Sequence, residues 1–251
     1  MKKILLTVLS LCALCPSAMA QDEPPKYLRF LPLGDLPTWE EELIDGIRQG
    51  KEPPPGTMPP NPVCMVSGGE VVPFKLSLRT MTGIKKMMGG TPGLLLKDGE
   101  TPESPNLLRK PLPAAPLSLG VIFADPATMQ WAKPKMLVLK DDPDAFPVGK
   151  IRFVNVSDKV VIVQLGGPSK RPFGIAPGAT SLRPITQGVN LIKVGYQTAA
   201  GGQKQIWNNQ IRVLANQRVQ CFFYKALPEE GKDAVKFHYT PEPMPRVPQA
   251  G

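Results

Sequence analysis

The sequence predicts an all-β protein: an antiparallel β-sandwich, set out as two tandem small sandwiches, with an extended Pro-rich N-terminal arm and one short helix. Three observations carry this. Apolar and polar residues alternate in short runs, as at Ile192, Val194 and Tyr196, which is the period of a half-buried strand. Turn signals separate those runs at short intervals, as sandwiches require. The 251 residues include 31 prolines and 23 glycines, which interrupt helices and central strands and favour short strands and long turns.

Residues 1–20 read as a signal peptide. Lys2 and Lys3 form a positive n-region, Ile4 to Cys15 an apolar h-region, and Ala18-Met19-Ala20 a small-x-small cleavage pattern. Cleavage there removes Cys12 and Cys15, so their C-x-x-C spacing carries no redox function. Leu11 and Leu14 precede these cysteines, which argues against lipoprotein-type processing. No later run is apolar for long enough to be a transmembrane anchor. The expected location is therefore exported, periplasmic or secreted. Cys64 and Cys221 remain, and in an oxidising compartment they either form a disulfide or stay as two separate buried thiols.

Residues 21–62 read as a Pro-rich arm. "PPKYLRFLPLGDLP" has no helical period, but it is too apolar for a free tail, so it should lie against the body or against a protein partner through residues 21–37. A short helix is expected over 38–49. Thr38 and Glu41 have capping-box spacing, and Trp39, Leu43, Ile44 and Ile47 make an apolar stripe. "KEPPPGTMPPNP" is a polyproline spacer. Residues 63–145 form a β domain with strands at Phe74–Leu78, 117–124 and 135–140. "DDPDAFP" (141–147) reads as a linker in which Asp141, Asp142 and Asp144 are solvated.

Residues 146–240 form a basic β-sandwich domain. Lys150–Val156 and Val160–Leu165 read as a hairpin about Ser157-Asp158. Pro177-Gly178 suits a type II turn. Ile206–Val213 and Arg218–Tyr224 read as a second hairpin, with Val219, Cys221 and Phe223 on a common buried face. Residues 234–240 close the domain, and 241–251 form a disordered tail.

Catalytic patterns are missing from these residues. The one histidine, His238, falls short of a histidine metal site and alternates with Phe237 and Tyr239 as a strand residue does. No G-x-S-x-G, P-loop or dinucleotide fingerprint occurs, so no catalytic residue, cofactor or metal is assigned. Nor is there a nucleic-acid motif. Two carboxylates from different segments converging on a cleft between the sandwiches would instead support a glycan-acting hydrolase.

Charge is distributed unevenly. Residues 21–62 are net −4, whereas 149–225 carry one acid, Asp158, and eleven bases. Lys150, Arg152, Lys159, Lys170, Arg171, Arg183, Lys193, Lys204, Arg212 and Arg218 are the candidate polyanion-binding residues; Lys225 is the eleventh base. A basic surface of this kind attracts acidic polymers in a salt-dependent way. Outside the cytoplasm the matching partner is an anionic glycan or envelope polymer. Alternatively, the acidic segment 38–49 docks on the basic sheet.

"RFLPLGDLP", "FPVGKIRFVNVS" and "APGAT" resemble a group of small exported bacterial proteins and, more loosely, immunoglobulin-like sandwich domains of cell-envelope proteins. The resemblance covers residues 27–62 and 146–224 and contains no catalytic residues. It implies a β-sandwich in the bacterial cell envelope. The expected function is non-enzymatic: binding an anionic envelope or glycan component, or acting as an assembly subunit.

Overall fold

The computed structural model describes residues 24–37, 40–89, 93–227 and 233–246. The expected signal peptide, Thr38 and Trp39, and residues 247–251 lie outside these. The described chain is all β, with four four-stranded sheets and one separate hairpin.

The first sheet has the order β10 (Lys135–Lys140), β9 (Leu117–Phe123), β1 (Lys26–Leu33), β6 (Lys85–Met87). The second runs β5 (Glu70–Phe74), β4 (Val63–Ser67), β7 (Leu94–Asp98), β8 (Asn106–Lys110). Leu28, Phe30, Ile122 and Met136 of the first sheet pack on Val63, Met65, Leu94 and Leu96 of the second. Gly120 permits the close approach at the centre, where a Cβ would lie 2.8 Å from the Phe30 ring.

The third sheet has the order β14 (Thr180–Pro184), β11 (Lys150–Asn155), β17 (Gln217–Lys225), β18 (Val235–Pro243). The fourth runs β13 (Phe173–Ile175), β12 (Val161–Leu165), β15 (Gly188–Gln197), β16 (Gln203–Val213). Ile151, Phe153, Val219 and Cys221 meet Val161, Val163, Ile192 and Val194 in their core.

A third apolar layer joins the first and third sheets back to back. Strand alternation sends Leu28 and Phe30 into one core, while Leu31 and Leu33 point the other way with Leu119 and Val121. They meet Val154, Val156, Phe222 and Tyr224 from β11 and β17 or just beyond. This explains why β1, β9, β11 and β17 are buried almost throughout instead of showing one wet face. Strands covered on both faces read as near-continuous apolar runs. Each of the two sheets contains one parallel pair, β1 with β9 and β11 with β17.

Several sequence expectations change. Residues 41–50 form a hairpin, β2 (Glu41–Ile44) with β3 (Ile47–Gly50), not a helix. Asp45 and Gly46 both have positive φ, 52° and 79°. An Asp-Gly pair in that conformation is the two-residue turn that matches strand twist, and it overrides the helical spacing. The arm is a central strand of the chain's own sheet: β1 pairs β9 on one side and β6 on the other. Further along, the Phe30 N–H is already used within the chain, donating to Thr82 Oγ1. Strand β1 of the expected 21–37 arm is therefore not an open edge for a partner chain.

Neither expected hairpin of the second half is one. β11 and β12 lie in opposite sheets, as do β16 and β17. The Ser157-Asp158 segment is thus an arch across the core. It is held by the buried Asn155 side chain, whose amide donates to the carbonyls of Lys159 and Ile175 while its oxygen accepts from Ser157 N and Oγ. The tail is ordered as far as Pro243, since β18 pairs β17 through Gln217 opposite Pro243. Finally, the 141–147 segment is not a solvated linker: Asp141, Asp142 and Phe146 are buried.

Candidate functional site

Two polar constellations arise from this framework, one closed and one open. The closed one continues the back-to-back layer. On β1, Arg29 shares the face of Leu31 and Leu33. On β17, Arg218 and Gln220 share that of Phe222 and Tyr224, and on β11 Arg152 shares that of Val154, all by the two-residue period of a strand. Asp141 follows β10, and Glu242 lies opposite Arg218 on β18.

Arg29 Nε donates to Asp141 at 2.7 Å, and its two terminal nitrogens grip Glu242 at 2.6 and 2.7 Å. Arg152 and Arg218 bond the other Asp141 oxygen at 2.7 and 3.0 Å. Gln220 links Arg152 to Glu242. The Arg152 and Arg218 guanidinium groups also stack on the Phe146 ring, 4.2 and 4.4 Å from its centroid, a favourable arrangement for a desolvated cation.

The electrostatics follow from burial and pairing. Burial lowers the affinity of Arg152 for its proton more than Asp141 raises it, pushing it down to about 10. For Arg29, burial acts in the same direction, but Glu242 and Asp141 outweigh it and hold the group above its ordinary value. Burial alone would raise the Glu242 carboxyl. The hydrogen bonds and charge of Arg29, with Arg218 and Gln220, hold it below its ordinary 4.5 instead.

Asp141 and Glu242 are thus two acids from distant segments that do converge. They converge on three arginines inside the molecule. A glycosidase acid needs a raised pKa and access to substrate, and Glu242 has the opposite shift and is buried. The pair is a structural joint between the sandwiches.

This joint removes Arg152 and Arg218 from the candidate polyanion surface; Arg218 is 0% exposed. Other bases are occupied locally. Lys204 pairs Asp233 at 2.9 Å, and Arg183 lies 4.7 Å from the centroid of Phe173. Lys225, the eleventh base, pairs Asp158. Lys150 and Lys159 sit half-buried at the start of β11 and in the arch.

The open constellation is the outward face of the fourth sheet. Ile192 and Val194 point into the core, so Leu191, Lys193 and Gly195 point outward. Register sets Lys193 beside Gln164 on β12 and Asn208 on β16. A bulge after Val194 and the bare Gly195 open a shallow groove lined by Ile162, Gln164, Pro172, Lys193, Gln203 and Lys204, among others. A side chain at Gly195 would close it, since its Cβ would lie 2.8 Å from the Lys204 carbonyl. Gln164 Nε2 donates to the Lys170 carbonyl at 2.7 Å, tying the Lys170-Arg171 loop to the groove's edge. Lys170, Arg171, Lys193 and Arg212 form no ion pair among the described residues. Flexible bases among side-chain amides can hold a row of anionic and hydroxyl groups by hydrogen bond and charge.

Cys64 and Cys221 are both buried and free, so the disulfide left open by the sequence is not formed. Cys221 belongs to the second core, and Cys64 Sγ reaches the Thr101 carbonyl at 3.5 Å. Burial raises both thiols above their ordinary range, which disfavours the reactive thiolate. His238 lies opposite Phe222 on β18, and burial followed by the charge of Arg79 lowers its pKa. Among the described residues no cluster of His, Cys, Asp and Glu could hold a metal, and no helix is long and apolar enough to cross a membrane. Sequence reasoning missed Asp141, Phe146 and Glu242. The available signal was positional: arginines at strand positions whose alternate neighbours are apolar require buried acids.

No family model and no curated protein matches the chain. Among solved structures, the chain is similar to one titled a "putative cell adhesion protein" from Bacteroides eggerthii DSM 20697, at 8% identity and a TM-score of 0.23 over 88% of this chain and 97% of that one. A superposition at that score carries no argument, so the functional reading rests on this chain's own surface.

Proposed function

We propose that this is a non-enzymatic exported protein that holds an anionic glycan or envelope polymer along the outward face of its fourth sheet. The observation that carries the reading is the groove beside β15. There Lys193, without an ion-pair partner among the described residues, stands among Gln164, Asn208 and Gln203, with Lys170 and Arg171 at the edge. No acid occurs in β12, β13, β15 or β16, so these strands themselves set no negative charge against a polyanion. The signal-peptide pattern of residues 1–20 supports export.

The test is retention of the mature protein on isolated sacculi, acidic polysaccharide and anionic vesicles over a salt series. The expected result is salt-sensitive retention by an acidic polymer, weakened in a Lys170→Ala/Arg171→Ala variant. Equal retention of that variant at every salt concentration would remove this face as the site.

A further inference from the structure

Among the described residues, the hairpin β2–β3 is an element without a packing partner. Its strands pair only with each other in the sheet arrangement, and every residue of both is exposed. A lone two-stranded hairpin is marginal in water. This one also exposes apolar side chains at its tip: Leu43 is 69%, Ile44 42% and Ile47 63% exposed, with Ile44 directly opposite Ile47. The surrounding segment, residues 40–52, carries five carboxylates and two bases. Arg48 and Lys51 pair Glu41 and Glu40, which leaves Glu42, Asp45 and Glu52 outside any ion pair among the described residues.

A surface with the complementary character exists elsewhere on the molecule. On the outward face of β15, Val189 is 62% exposed, and Leu191 and Lys193 follow it at strand spacing. Register puts Arg212 beside Val189 and Gln210 beside Leu191 on β16. β16 is an edge strand, paired on one side only. This strip is therefore apolar and basic, as the hairpin tip is apolar and acidic. Neither covers the other within the chain, since every residue of the hairpin is exposed among the described residues.

We propose that the hairpin of one copy docks on the β15–β16 strip of a second copy. Ile44 and Ile47, which share one face of the hairpin, would cover Val189 and Leu191, while Glu42 on that face and Asp45 at the turn meet Arg212 and Lys193. Apolar burial supplies the attraction, and the opposite charges set the orientation. The two patches differ, so the contact is heterologous. Each copy offers one of each, so two copies can exchange hairpins about a two-fold axis and close, or each can dock on the next and assembly continues past the dimer. The inference rests on the same basic face as the polymer-binding reading but names a protein occupant for its β15–β16 end.

The experiment is sedimentation of the mature chain across the micromolar range at low salt. The wild-type chain should show a mass that climbs with concentration from one copy to two or more. Ile47→Glu in the hairpin and Arg212→Glu on the strip alter exposed side chains, so both variants should fold. Each should associate roughly a hundredfold more weakly or worse, because a charge replaces an apolar contact or faces a like charge. An equimolar mixture of the two should form dimers and stop there, since only one intact hairpin meets one intact strip. A wild-type chain that stays monomeric, variants that still assemble, or a mixture that stays monomeric would overturn the proposal. Polysaccharide retention separates the two readings. Retention by Ile47→Glu with assembly lost supports the docking inference. Assembly without any retention overturns the polymer-binding reading alone.

Discussion

Arg218 shows how one residue type serves two ends. It is one of eleven bases between residues 149 and 225, yet it bonds Asp141, Glu242 and the carbonyls of Asp141 and Phe146 with no exposure to water. Removing it leaves two buried carboxylates with too few cations. Arg218→Ala should therefore destabilise the protein by about 3–5 kcal/mol, read by denaturant unfolding, whereas Arg212→Ala on the surface should change stability little. Glu242 makes the same joint sensitive to acid. Its folded pKa lies below its ordinary 4.5, so its contribution is complete above that value and is lost as pH falls through the folded one. His238 acts in the same direction at higher pH. Its folded pKa lies below 6.5, so the unfolded chain takes up the proton first and stability declines as pH falls below 6.5. Unfolding free energy measured from pH 7 to 3 should fall below 6.5 through His238 and fall again below 4.5 through Glu242. Glu242→Gln should flatten the part below 4.5, and an unchanged curve would show that the joint does not titrate as described.

At the scale of elements, what was legible was the strand pattern, and what was not was which strand pairs with which. β9 and β10 fall where the alternation placed them, at Leu117–Phe123 and Lys135–Lys140. An arch and a hairpin share one local signature, two β-rich runs about a polar turn. They differ only in whether the runs bond to each other, which distant strands decide. Asn155 is what makes the first arch. Asn155→Ala would strand the Ser157 amide and the carbonyls of Lys159 and Ile175 in the interior. At about 1–3 kcal/mol for an unsatisfied buried group, the change should cost roughly that much or more and lower the melting temperature. Substitution of the half-exposed Asp158 should cost far less, and equal costs would contradict the arch. The β2–β3 error has a different origin. Asp45-Gly46 makes a tight two-residue turn, and that turn prevails over the capping-box spacing of Thr38 and Glu41.

Across the whole molecule, four sheets enclose three apolar layers, with one ionic joint extending the middle layer. The middle layer was hidden in the sequence because it depends on strands buried on both faces, β1 and β17 above all, and these look like arm and hairpin when read locally. Its consequence is a division of charge. Arg152 and Arg218 are committed to holding the sandwiches together, and Lys193 with its neighbours is left facing water. The basic composition was legible; its partition was not, because it follows from which face of each strand the other sandwich covers. The most direct measurement of this account is the salt dependence of acidic-polysaccharide affinity for the wild-type chain and for Lys193→Ala. Each engaged base adds about 0.7–0.9 to the slope of log affinity against log salt, by analogy with nucleic acid. Lys193→Ala should bind more weakly, with a slope shallower by about that amount, and keep wild-type stability. An unchanged slope and affinity would contradict it.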